Sequence, residues 1–302
     1  MKILIWLILC LIWGTTWIFI KVGLEDLPPI TFASARFILA ILILSPVIWF
    51  RGLVWPRSAT EWKLVALTGF LQFSLNYSSV FWAEQHITSG LAAVLQAMIP
   101  VFGLLLAWIF LPAERVTPLK IIAVLLGIVG VAVIFVEQLH VESVMAFFGC
   151  AAILAGAYCA AQASILVKAR ASSLHPASLV CAQMICGLPA LLLYGVLVEG
   201  NPGAFNWTWR AIACVAYLSV LGTIAAFWLY YWLLSRIEST KAMTISLVTP
   251  LIAVLIGGIF LEERLPPQTL FGAILIISSV GLIAIRRATV PAQVREVFDR
   301  VC

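Results

Sequence analysis

The sequence predicts an all-α membrane protein, with ten transmembrane helices arranged as two inverted five-helix repeats around a central cavity. Three observations predict it. Hydrophobic residues make up 64% of the 302 residues and charged residues only 10%, against about 25% charged in an average soluble domain. The apolar residues fall into ten runs, each 18 to 25 residues long, and about 20 are needed to cross the hydrocarbon core. A set of landmarks in the first half also recurs about 150 residues later. Disorder, nucleic-acid binding and a soluble enzyme do not suit this composition.

The spans run over 3–22, 30–50, 62–82, 89–111, 119–136, 144–167, 176–198, 210–234, 241–261 and 269–286. Met1 and Lys2 ahead of the first run resemble a signal peptide. No small-x-small cleavage site precedes Trp13-Gly14-Thr15-Thr16, so an uncleaved first span is expected. Connections are short and built from breakers, such as Pro28-Pro29, Pro112, Pro118, His175-Pro176, Asn201-Pro202-Gly203 and Pro266-Pro267. Beyond the tenth span, Val290, Val294, Val297, Phe298 and Val301 recur at helical spacing among charges. The tail at 287–302 is basic and could lie on the membrane as an amphipathic helix or fray into solvent.

The net charge of +5 is a topology signal. Lys2, Arg51, Arg57, Lys63, Arg115, Lys120, Lys168, Arg170, Arg236, Lys241, Arg286, Arg287, Arg295 and Arg300 fall on one side, fourteen of the eighteen basic residues. The other side holds eight of the thirteen acids. The positive-inside rule then makes both termini cytoplasmic, as an even number of spans requires. The seven cysteines show no CxxC pair, and six lie in or beside apolar runs, where a free thiol acts as a small hydrophobe.

Span four carries Pro100 and is followed by Glu114-Arg115, while span nine carries Pro250 and is followed by Glu263-Arg264. The offsets are 150 and 149 residues. Lys21 lies eight residues before Pro29, and Lys168 eight before Pro176. Two repeats, 1–140 and 141–286, follow. Five spans is an odd number, so the second repeat is inverted, which is a hallmark of secondary transporters with a midplane site.

Trp13-Gly14-Thr15-Thr16, the stretch from Pro28-Pro29 to Ala35-Arg36-Phe37, Ser89-Gly90-Leu91-Ala92-Ala93 through Pro100, and Glu114-Arg115 resemble the EamA-type repeat of the drug/metabolite transporter superfamily. The second half is similar from Ser239 to Pro250 and at Leu261-Glu262-Glu263-Arg264. It departs at Ala160 and Gln183, which stand where the first half has Trp13 and Arg36. The resemblance covers nearly the whole chain and is greatest to bacterial aromatic-amino-acid exporters. It implies ten helices around a cavity lined mainly by spans 3, 4, 8 and 9, with help from 1 and 6.

Mid-span polar groups are costly in lipid and usually face a cavity. Span three offers Gln72, Asn76 and Tyr77, with Phe73 and Phe81 one turn either side of Tyr77. Gln96 and its repeat-mate Ser246 each lie one turn before a proline, Pro100 or Pro250, where a backbone carbonyl is freed. Spans one and six add Trp13, Thr16, Trp17, Tyr158, Gln162 and Ser164. Span eight adds Thr223, Phe227, Trp228 and Tyr231. Competing readings make Trp6, Trp49, Trp55, Trp62, Trp207 and Trp209 interfacial belt residues. Ser246 and Thr223 could simply bond their own helix backbones. Arg36, Pro100, Pro250, Glu114 and Glu263 read as structural or gating positions, with Arg36 alternatively drawing a substrate carboxylate.

No Asp or Glu lies in the middle third of a span, so transport down a gradient or by exchange is expected. GxxxxGK[ST], HExxH and Gly-x-Ser-x-Gly are absent, so an enzyme is not expected. No cofactor, metal, nucleic acid or obligate protein partner is implied; the partners are a small-molecule substrate and the lipid bilayer. The expected function is inner-membrane export of small amphipathic metabolites, foremost aromatic or bulky amino acids. Efflux of cationic drugs or quaternary amines is the alternative within that class. A non-transporting membrane scaffold subunit is the alternative outside it.

Overall fold

The computed structural model describes residues 1–83, 85–87, 89–139, 141, 143–171, 174–260 and 267–285. Among them every regular element is helical. We number the apolar helices α1 (Lys2–Gly23), α2 (Pro29–Phe50), α3 (Ala59–Ala83), α4 (Ser89–Gln96 and Ile99–Phe110), α5 (Pro118–Ile134), α6 (Val144–Arg170), α7 (Pro176–Glu199), α8 (Trp209–Leu234), α9 (Ser239–Met243 and Ile245–Phe260) and α10 (Pro267–Ile285). Eight, α1–α4 and α6–α9, are long and apolar enough to cross a membrane, and α5 and α10 are shorter. The outer surface is equally apolar: Trp49, Phe50, Trp108, Leu197 and Trp209 are at least three-quarters exposed. A soluble monomer does not present such a surface. The chain is a multi-pass membrane protein.

The breakers of the sequence become helix starts. Pro29, Pro118 and Pro176 sit in the first turns of α2, α5 and α7, where a missing N–H costs nothing. Side chains also cap first turns: Ser58 with Glu61 in a capping box on α3, Thr117 beside Pro118 on α5, Ser143 on α6 and Thr208 on α8.

Two features depart from ten uninterrupted spans. The middles of α3 and α8 are wound as π-helix, over Phe70–Asn76 and Val220–Ala225. These stretches begin 150 residues apart. Helices α4 and α9 are each broken, between Gln96 and Ile99 and between Met243 and Ile245. Such irregularity is tolerated at membrane depth where it is buried in protein or lines a cavity.

Packing also follows a rule. Helix α1 packs on α8 and α9, while α6 packs on α3 and α4; α2 pairs with α7, and α5 with α10. Adding five to each helix number maps this pattern onto itself. The α5–α10 contact is close because both partners are small. A Cβ on Gly130 would lie 2.9 Å from the Gly272 carbonyl oxygen, and one on Gly272 would lie 2.6 Å from that of Gly130.

Trp6, one of the belt tryptophans of the sequence, donates its indole N–H to the Lys241 carbonyl at 3.2 Å and ties α1 to α9. The six described cysteines are free thiols. Glu263, Cys302 and the tail at 287–302 lie outside the described residues.

Candidate functional site

Helices α1–α4, α6, α8 and α9 line a cavity of about 210 Å³, and each supplies side chains from one face. Helix α1 presents Trp13, Thr16, Trp17 and Ile20, the i, i+3, i+4, i+7 face of a single stripe. The π-wound stretch of α3 and the turns after it supply Gln72, Asn76, Tyr77, Val80 and Phe81. Gln96 and Ile99 flank the break in α4. Ser246, Thr249 and Pro250 follow the break in α9, with Ala242, Met243 and Ile245 at it or just before. Ala160 and Ser164 come from α6, Phe227 and Tyr230 from α8, and Arg36 from α2.

Aromatic edges dominate the wall. Trp13 meets Phe227 edge-on at 5.5 Å and Tyr230 at 5.4 Å, and its indole donates to the Gly222 carbonyl at 3.3 Å. Phe37 stands perpendicular to Tyr77 at 4.9 Å. Such contacts fix ring orientation beyond simple burial. Set among them are neutral polar groups. Gln96 Nε2 lies 3.5 Å from Asn76 Oδ1, a long contact that leaves both amides hydrogen-bonding capacity. Tyr230 donates to Ser164 Oγ at 3.1 Å. The Ser246 hydroxyl donates to its own helix, at the Met243 carbonyl. Arg36 contributes the formal charge; among the described wall residues there is no Asp or Glu.

Several sequence-predicted residues stand elsewhere. Phe73 is fully buried behind Tyr77, wedged between Phe37 at 5.1 Å and Phe227 at 5.0 Å, so it supports the wall without facing the cavity. Tyr158 is 41% exposed and packs against Phe102. Neither Tyr158 nor Gln162 lines the cavity. Two positions along an α-helix turn a side chain by about 200°, so the face that presents Ala160 and Ser164 turns those two away. Trp228 packs on His175 instead, at 5.5 Å. Pro100 is buried, but it is Pro250 that reaches the wall. Thr223 is fully buried, holding Arg36 and donating to the Leu218 carbonyl.

Sequence reasoning missed Tyr230 and chose its neighbour Tyr231, which is buried in the core. The signal was available: Tyr230 is three residues from Phe227 and so shares its face. The apolar members Met243 and Ile245 carry no such signal.

At one end of the cavity, charges bind helix termini together. Glu114 accepts from the Ser239 N–H at 2.9 and 3.0 Å and from the Ser239 hydroxyl, placing an anion at the start of α9. Lys168 pairs with Glu114 at 2.7 Å and donates to the Leu234 carbonyl at 3.0 Å and to that of Ile237, placing a cation at the end of α8. Lys120 bridges Glu238 at 3.0 Å and the Arg115 carbonyl at 2.8 Å beside it.

This architecture is similar to known proteins over almost its whole length. One solved structure matches with a TM-score of 0.79 at 16% identity, covering 94% of this chain and 96% of the other, a likeness of fold. An "Uncharacterized transporter" of Bacillus subtilis is 25% identical over 267 residues, 88% of this chain and 90% of that protein. A "Probable amino-acid metabolite efflux pump" of Escherichia coli is 28% identical over 286 residues, 91% of each chain. A "Probable terminal-alkyne amino-acid exporter" of Streptantibioticus cattleyicolor is 30% identical over 274 residues, 90% of this chain and 89% of that protein. The model of the EamA-like transporter family matches residues 1–136 and again 147–285. With both stretches matched and relatives aligned from end to end, the chain belongs to the EamA-like transporter family, within the drug/metabolite transporter superfamily.

Proposed function

We propose that this chain is an inner-membrane secondary transporter that exports small amphipathic metabolites, foremost amino acids with aromatic or bulky side chains, by alternating access. The observation that carries the reading is the cavity wall, where Trp13, Trp17, Tyr77 and Phe227 stand beside the amides of Asn76 and Gln96. Rings suit one end of such a substrate, and hydrogen-bonding groups suit the other. The names of the Escherichia coli and Streptantibioticus relatives support amino-acid export.

Two inverted five-helix units, 1–140 and 141–286, with ten spans and both termini cytoplasmic, complete the proposal. The packing pattern that repeats every five helices and the two π-wound stretches 150 residues apart support it. In this reading Glu114 and Lys168 close the cytoplasmic end. Substrate moves down its gradient or by exchange, a view supported by the lack of a carboxylate among the described wall residues.

Counterflow in proteoliposomes preloaded with mixed unlabelled amino acids tests the function. Labelled Phe, Trp or Tyr should accumulate, and accumulation of no amino acid would sink the proposal. Replacing Tyr77 and Gln96 together by Ala should lower the rate by at least about tenfold, the scale of losing an aromatic contact and a buried hydrogen bond. Expression should be unchanged.

A further inference from the structure

Arg36 is only 3% exposed, yet it stands in the cavity wall. A guanidinium taken out of water needs a counter-charge to offset its lost hydration. Among the described residues none supplies one. Glu114 pairs with Lys168, Glu238 with Lys120, and Glu25 and Asp26 with Arg210. Glu199 accepts from the N–H groups of Ile30 and Thr31 at the start of α2, five to six residues from Arg36 in sequence.

The bonds Arg36 does make are to neutral oxygens. Nε donates to Thr223 Oγ1 at 2.6 Å, and Nη2 donates to the Gly222 carbonyl at 2.9 Å. A Cβ on Gly222 would lie 2.9 Å from Thr16 Cγ2, so the absence of a side chain there lets α1 pack closely on α8 beside this bond. These bonds occupy two of the five N–H groups of a guanidinium. The rings of Tyr77 and Phe37 lie 5.4 and 5.5 Å from its central carbon.

Tying α2 to α8 does not require the charge. Gln183, 147 residues on, holds the corresponding place on α7. Its amide donates to Thr68 Oγ1 of α3 at 2.7 Å, fully buried and outside the cavity wall. A neutral amide ties that pair of helices. The two positions thus differ in two respects together: Arg36 is charged and reaches the cavity, and Gln183 is neutral and does not.

We propose that Arg36 is the carboxylate anchor of the cavity, so that the substrates are organic acids carrying an apolar or aromatic group, amino acids among them, and amines without a carboxylate are refused. This rests on the reading of the cavity as the transport site. A carboxylate supplies the missing counter-charge and matches the fork of a guanidinium. Tyr77, beside the guanidinium, then offers its ring to the side chain of the substrate. An organic cation would bring a second positive charge to the same low-dielectric wall.

The test uses the purified full chain and four probes of one shape: phenylalanine, 3-phenylpropionate, phenylalaninamide and phenethylamine. Direct binding is measured for all four, and counterflow for phenylalanine and its amide. The two carboxylates should bind at least about tenfold more tightly than the amide and the amine, the scale of a hydrogen bond to a charged group. Arg36→Gln, which copies the residue at 183, should reduce that preference to within about twofold. Arg36→Lys should keep part of it, having the charge without the fork. Because the readout is a ratio between probes, a variant that folds in lower yield still reports. Equal binding of phenylalaninamide or phenethylamine, a preference that survives in Arg36→Gln, or no binding of either carboxylate would overturn the proposal. Binding of phenylpropionate with refusal of phenylalanine would sink the amino-acid reading and leave the anchor standing. Equal counterflow of phenylalanine and its amide would do the reverse.

Discussion

His175 caps α7 as a neutral imidazole: Nδ1 accepts from the Ala177 N–H at 3.2 Å, and the ring rests against Trp228. Partial burial lowers its pKa below the ordinary histidine value. The unfolded chain therefore binds this proton more readily than the native one. The contribution to stability is full above the unfolded pKa of about 6.5 and is lost as pH falls through the lower folded value. Thermal stability in detergent should thus decline modestly between about pH 7.5 and 5.5. His175→Asn, a cap that does not titrate, should flatten that decline, and an unchanged slope would assign it to other groups. At this scale the sequence was legible where polarity and depth coincide, as at Tyr77, Asn76 and Gln96. It misled where only side-chain azimuth decides: Tyr158 and Gln162 are polar and deep, and they point away from the cavity.

The π-wound stretch in α3 bears on the aim of the side chains within it. A π turn holds one residue more than the α-helical ladder needs. Deleting Leu75, whose side chain is 38% exposed on the outer surface, should restore α-winding and leave the turns on either side in register, because the π turn already takes up the extra residue. The wall residues inside the stretch, Gln72 and Asn76, would then be re-aimed. Helix content by circular dichroism should be unchanged while counterflow falls at least about tenfold, the loss expected when a binding group is misplaced. Full transport in the deletion would mean that the winding has no part in the site. No residue type announces these stretches, since Phe70–Asn76 and Val220–Ala225 share little beyond their place in the chain. The caps and proline starts were far easier to read, because each rests on local chemistry.

Across the whole molecule, Glu114 and Lys168 join the end of α8 to the start of α9 through opposite charges at opposite helix termini. Glu114→Gln keeps one acceptor for Ser239 but removes the anion, leaving Lys168 without its pair. If this junction holds one end of the cavity shut, a cysteine placed at Ala242, in the wall near the Ser239 end of α9, should be labelled at least about tenfold faster from that side, the scale of a lost charged hydrogen bond. Unchanged labelling would leave the junction as a brace with no part in gating.

The sequence alone determined that the chain lives in a membrane, where its helices begin, and that its second half echoes its first. Those properties rest on composition, on local breaker chemistry and on a count of spacings, none of which needs a third dimension. Tertiary structure decided which polar side chains share a cavity and which face of α6 turns toward it. It also decided that Phe73 supports the wall and Tyr230 forms it. The reason is geometric: one position along a helix turns a side chain by about 100°, and a π turn or a break resets that count. The π turns leave no mark in residue type, and of the two breaks only that in α4 has a proline, Pro100, at its edge. It was likewise the fold that set Arg36 in the wall with no described acid beside it.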